Sequence, residues 1–248
     1  MRLSLAALLT SVALLSTPAL AGGLEDMTPA ERTAFQAEVK AYLLANPEVI
    51  VDAMGVLQSR EDSAAASRDQ QILTDNKALI FNDAASWVGG NPDGDVTVVE
   101  FMDYRCGYCR KAYTEVEELV KSDGNIRFVP KEFPILGDEP VAASRLALAV
   151  LPLHGADAHN KAHDGLINLR GAPDAETLGR LATDMGLEPE AILTHMASDD
   201  VTKVIAANHA LADVMQISGT PTFVIDDTLL RGYVPLDGLR QIVAGERS

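Results

Sequence analysis

The sequence predicts an α/β domain whose sheet is split by a long helical insertion, with a helical segment in front of it. Three observations carry this. A β-branched run, Val96-Thr-Val-Val-Glu-Phe-Met102, leads through a short polar turn into a helical pattern that opens with Cys106-Gly-Tyr-Cys109. Alternating strand character returns over residues 125–133, and later over 222–225 and at Leu229 and Leu230. Between these, from Glu139 to about Ile217, the apolar spacing is helical throughout.

Taken in order, residues 1–21 combine an early Arg2, an apolar stretch from Leu3 to Leu15 and Ala19-Leu-Ala21. This pattern predicts a cleaved secretory signal, a mature chain from Gly22 and export to a periplasm. The apolar stretch is shorter than the roughly 20 residues a membrane span needs, which argues against an uncleaved anchor. Losing Arg2 takes the formal net charge from −16 to −17, a poor match for nucleic acid or an anionic membrane surface. The acidity is spread along the chain and otherwise says little beyond solubility.

Thr28-Pro-Ala-Glu31 reads as a capping box with proline at the first helical position, followed by Phe35, Val39, Tyr42 and Leu43 at helical spacing. Asn46-Pro47-Glu48 starts a second short helix carrying Val49, Ile50, Ala53, Met54 and Leu57. Over residues 58–71 the apolar content falls to alanines, predicting an exposed connecting helix. Two short amphipathic helices cannot form a core alone, so their apolar faces pack on the main domain or on copies of themselves. Turn residues cluster over 87–95 at the entry to the main domain. The expected boundaries are 22–83 for the N-terminal segment and linker, and 84–248 for the domain, with its insertion over about 138–217. A final amphipathic helix carries Leu236, Leu239, Ile242 and Val243.

The chain's two cysteines, Cys106 and Cys109, fall in the first turn of a helix. Free amides and the positive dipole end stabilise a thiolate there, lowering a cysteine pKa from roughly 8.5 into the range of about 3.5–7.5. A spacing of three puts the second sulfur on the same face, within reach of a mixed disulfide on the first. The pair reads as a redox switch. A structural disulfide over so short a loop would constrain little unfolded-chain entropy. A zinc site needs about four ligands. His159 and His163, at i, i+4 spacing, could complete one, but they read as exposed helix residues.

The Cys-Gly-Tyr-Cys helix and the Ser218-Gly-Thr-Pro-Thr-Phe-Val-Ile225 segment, in this order, resemble the thioredoxin superfamily, and most closely its DsbA-like thiol-disulfide oxidoreductases. The resemblance covers about residues 85–246 and implies a thioredoxin fold with an inserted helical domain. The Ala-Asn-Pro-Glu-Val-Ile run at 45–50 resembles the oligomerisation region of ScsC-type disulfide isomerases, implying a homo-oligomer, preferably a trimer. By resemblance Cys106 is the exposed nucleophile and Cys109 the buried resolving thiol. Pro221 matches the cis-proline facing the disulfide, with Thr220 offering its backbone to a substrate strand; an ordinary trans loop proline is the alternative. Glu100 matches a buried acid that moves a proton to or from Cys109, and the alternation of Val98, Glu100 and Met102 favours burial over a solvent-facing carboxylate. Lys131 is placed to pair with Glu100 across the sheet, or else Lys131 and Glu132 form an exposed strand end. Gly107 and Tyr108 stand where the strongly oxidising members carry Pro-His, so the couple is expected to be less oxidising.

The resemblance implies a protein disulfide isomerase or reductase that needs no dissociable cofactor. It would act on exported proteins bearing disulfides or thiols, and a DsbD- or ScsB-like membrane reductant would supply it. Two alternatives stand beside it. One is a DsbA-type oxidase recharged by a DsbB-like partner. The other is a copper-binding or chaperone-like protein using the thiols as soft ligands for Cu(I).

Overall fold

The computed structural model describes residues 24–248, so the expected signal over 1–21 and its cleavage site lie outside the described residues. The chain divides into two compact units, Met1–Glu61 and Asp62–Ser248.

In the first unit, Thr28 caps helix α1 (Pro29–Ala45): its hydroxyl accepts from the Glu31 N–H at 3.3 Å, and the Glu31 carboxylate accepts from the Thr28 N–H at 2.8 Å. Asn46 ends α1, and helix α2 (Glu48–Phe81) begins two residues later. The expected second helix and connector are one continuous helix of 34 residues. The alanine-rich stretch has nothing to bury but nothing to break it either, and its propensity carries the helix through. No described residue of α1 is buried. Tyr42, Leu44, Val51 and Met54 are among the large apolar side chains left exposed in this unit.

The second unit is a mixed sheet in the order β1-β3-β2-β4-β5, formed by β1 (Gly89–Gly90), β2 (Val96–Met102), β3 (Ile126–Glu132), β4 (Thr222–Ile225) and β5 (Thr228–Arg231). β2 and β3 run parallel, joined across helix α3 (Gly107–Asp123); the other pairs are antiparallel. The short β1 falls inside the stretch read as turn residues, because two glycines give no strand pattern to read. Gly124 ends α3 in the left-handed region at φ 73°, which glycine adopts without strain.

Alternation on β2 decides what covers each face of the sheet. Val96 and Val98 pack with Val116 and Leu119 of α3 and with Leu239 and Val243 of helix α9 (Leu236–Glu246). Val99 and Phe101 face the other way, against Leu73 and Ile80 of α2 and Leu211 of helix α8 (Asp199–Val214). The last turns of α2 therefore belong to the core of the domain, ahead of the boundary expected at 83/84.

Helices α4 (Asp138–His154), α5 (Ala156–Ile167), α6 (Ala175–Asp184) and α7 (Pro189–Met196) precede α8 and complete the insertion. Leu146, Leu166, Leu178 and Ile192 form its core, which is continuous with Met102, Tyr104 and both cysteines.

Three sequence expectations fail here. His159 and His163 are buried, at 2% and 5% exposure, because α5 turns them inward: Trp87 stacks on His159 at 5.2 Å, and the Tyr104 hydroxyl meets His163 at 3.0 Å. Burial holds both imidazoles neutral, with pKa values lowered to about 3 and about 4. Lys131 does not pair with Glu100. In the parallel register Glu100 lies opposite Pro130, and the Lys131 ammonium bonds Asp83 and Ser86, each at 3.1 Å. Nor are Lys131 and Glu132 an exposed strand end, since both are buried.

Candidate active site

Cys106 is the N-cap residue of α3, so its sulfur sits beside the unbonded amides of the first turn. The turn before it is fixed by Asp103, a buried residue that the sequence reading passed over. Its carboxylate accepts the backbone N–H of Arg105, Ile135 and Leu136 at 2.7, 2.8 and 3.0 Å, and its carbonyl accepts that of Cys106 at 3.0 Å. One side chain thus ties the end of β2 to the chain after β3. The signal was there in part: Asp103-Tyr-Arg has the shape of an Asx turn.

Cys106 and Cys109 are free thiols with unequal environments. The Cys106 pKa is lowered to about 5, first by a hydrogen bond from the Cys109 thiol, then by the Thr220 side chain and the N–H groups of Cys109 and Tyr108, against burial. The same Cys106–Cys109 bond pushes Cys109 up, and burial and the Glu100 charge push it further. Cys109 is 1% exposed. At neutral pH these shifts leave Cys106 ionised and Cys109 protonated.

The Thr220–Pro221 peptide bond is cis, and the Cys106 sulfur lies 3.2 Å from the Thr220 carbonyl oxygen. The fold thus brings residues 106 and 220 together at the end of the sheet. Tyr108 projects into solvent next to Tyr233, with ring centroids 6.0 Å apart. Lys111 sits 4.1 Å above the Tyr233 ring, and Tyr233 donates to Glu115 at 2.7 Å. A Cβ on Gly107 would meet nothing within 4 Å, leaving the approach to Cys106 open.

Glu100 lies behind the cysteines on β2, 5% exposed, on the same face as Val98 and Met102. Burial, and secondly the charge of Cys106, raise its pKa to about 8. A second buried acid, Glu132, accepts from Tyr104 at 2.8 Å and Ser144 at 2.6 Å, tying β3 to α4. Burial raises its pKa to about 7.

A family model described as thioredoxin matches residues 82–244. The chain belongs to the thioredoxin family. Within it, this is a DsbA-like protein of the ScsC type: a model described as the copper resistance protein ScsC N-terminal domain matches residues 31–64. A thioredoxin-like oxidoreductase from Silicibacter pomeroyi DSS-3 is 40% identical, with a TM-score of 0.65, over 69% of this chain and 98% of that one. Proteus mirabilis ScsC, in a transitional conformation, is 26% identical with a TM-score of 0.65, over 90% and 97%. Among curated proteins, disulfide bond formation protein D of Bacillus subtilis is 25% identical over 69% of this chain and 85% of its own length. The chain spans about a quarter of the length of other curated relatives, such as the Na(+)/H(+) antiporter NhaA 1 of Salinispora arenicola, to which it is 30% identical over 156 residues. No described helix is long and apolar enough to cross a membrane.

Proposed function

We propose that this chain is an exported, periplasmic thiol-disulfide oxidoreductase that works on protein disulfides as an isomerase or reductase. The observation that carries the reading is the split between a Cys106 thiol lowered to about 5 and a buried Cys109 pushed the other way. The Cys106 thiolate attacks one sulfur of a misplaced substrate disulfide, forming a mixed disulfide and releasing the other substrate sulfur as a thiolate. In isomerisation a substrate thiolate then displaces Cys106, which leaves as it arrived. If that stalls, Cys109 gives its proton to Glu100 and attacks Cys106. The substrate departs fully reduced, and the Cys106–Cys109 disulfide remains. Thr220 holds the substrate backbone beside the sulfurs by strand addition, with Pro221 setting that edge and Gly107 and Tyr108 framing the approach.

A membrane reductant of the DsbD or ScsB kind would return two electrons to the pair; a DsbB-like oxidase would instead make the protein a source of disulfides. The exposed apolar residues of α1 and of the first half of α2 support a homo-oligomer, with a trimer preferred. Several active sites around one substrate raise the local thiol concentration. The deciding experiment is acid quench and thiol alkylation in living cells. A mostly reduced pair supports isomerase or reductase work, and a mostly oxidised pair transfers the assignment to the oxidase.

The copper-resistance description of the N-terminal family model favours a second reading, Cu(I) capture by Cys106 and Cys109. Tight Cu(I) binding together with no metal-free activity on scrambled ribonuclease would select it.

A further inference from the structure

Between α3 and α5 lies a cavity of about 600 Å³ that shares Glu100 with the dithiol site but is lined by neither cysteine. Two of its lining groups, Glu100 and His163, are buried polar side chains. The Glu100 carboxyl, 5% exposed, accepts no hydrogen bond from any described residue. His163, also 5% exposed, bonds through Nδ1 to the Tyr104 hydroxyl. While Glu132 is ionised the single proton of that hydroxyl goes to it at 2.8 Å, so Nδ1 then carries the imidazole proton and Nε2 is an acceptor. Asp164 adds a carboxylate, which already takes the Tyr113 proton at 2.7 Å, and Glu117 adds another. Among the described lining residues Lys121 is the one cation. The rings of Trp87 and Tyr113 complete the wall.

We propose that this cavity is a binding site for a small organic cation, an alkylamine or diamine. Its ammonium would sit between the Glu100 carboxylate and His163 Nε2, and its alkyl chain would lie along Trp87 and Tyr113. The lining is rich in acceptors, and an ammonium has three donors and no acceptor. An anion would face the carboxylates, and a purely apolar ligand would leave two buried acceptors unbonded. Aromatic walls attract cations, and the volume falls within the roughly 300–1,000 Å³ of small-molecule sites, far above the ~30 Å³ share of a water.

Trp87 is the single tryptophan of the chain, so its fluorescence reports the site directly and without turnover. The full chain, reduced, is titrated with 1,4-diaminobutane above pH 8, where the Glu100 carboxyl is ionised, at a fixed ionic strength of about 0.15 M, which screens diffuse attraction to the acidic surface. The expected result is a saturable change that 1,4-butanediol does not produce and that weakens at least tenfold in both Glu100→Gln and Asp164→Asn. Should Glu100→Gln fail to fold, the Asp164→Asn titration decides. A non-saturating response, an equal response to the diol, or undiminished affinity in the folded variants overturns the proposal. Saturation by Nα-acetyl-lysine amide with none by the diamine would place a protein lysine there instead, and overturns the free-amine form.

Discussion

The unequal cysteines make the sharpest predictions. Alkylation of Cys106 should rise with pH through a midpoint near 5 and be flat by neutrality, because its pKa is lowered to about 5 from an ordinary 9.0. A midpoint near 9 would remove the nucleophile from the proposed mechanism. The sign for stability follows from linkage. A folded-state pKa below the unfolded one means the reduced protein gains stability over the disulfide form as pH climbs from 5 towards 9, and loses it on acidification through 5. Glu100 opposes this between about 4.5 and 8, but its burial is common to both redox forms and largely cancels in their difference. In the resolving step Glu100 acts as the carboxylate, so the rate should rise with pH through a midpoint somewhat below 8, because the Cys106 charge that helps raise the Glu100 pKa is gone in the mixed disulfide. Glu100→Gln should slow that step by the roughly 10²-fold typical of a lost general base and flatten the rise. Rapid-quench trapping of the mixed disulfide reads both, and an unchanged pH profile in the variant would dismiss Glu100 as the proton carrier.

At the scale of elements, β2 sets the layout. Its alternation sends Val98 and Glu100 towards α3 and Val99 and Phe101 towards α2 and α8. Period-two reading caught this, and with it the burial of Glu100, whose pKa is raised because it stands where a valine would pack. Residues 58–71 were legible only as helix material, because the run gives no sign of where packing resumes. It resumes at Leu73 and Ile80, with Asp69 paired to Arg231 of β5 at 2.8 Å and Asp83 paired to the buried Lys131. The end of α2 is thus a structural part of the domain. Ile80→Ala, at a fully buried position, should cost about 2–5 kcal/mol in chemical denaturation. A loss below about 0.5 kcal/mol would mean that α2 merely lies on the sheet.

For the whole molecule, the division at Glu61/Asp62 turns the N-terminal question into a comparison of truncations. A protein beginning at Asp62 should keep full insulin-reducing activity and sediment as a monomer, while the full mature chain sediments as an oligomer. Starting instead at 84 removes Leu73, Ile80 and the Asp83 partner of Lys131, and should lower the thermal midpoint sharply. Monomers in both the full and the Asp62 forms would end the case for self-association through α1 and the start of α2. The sequence by itself determined the order of elements from β2 to α9, the capping box at Thr28, and the helix N-terminus under Cys106. These are consequences of local pattern: side-chain period, cap chemistry and the dipole of one helix. Only the tertiary structure decided that Asp103 locks the turn, that Lys131 answers Asp83 and not Glu100, and that His159 and His163 face inward. Each depends on register and on which face of an element meets another, and contacts between residues some 30 to 70 positions apart leave no trace in local spacing.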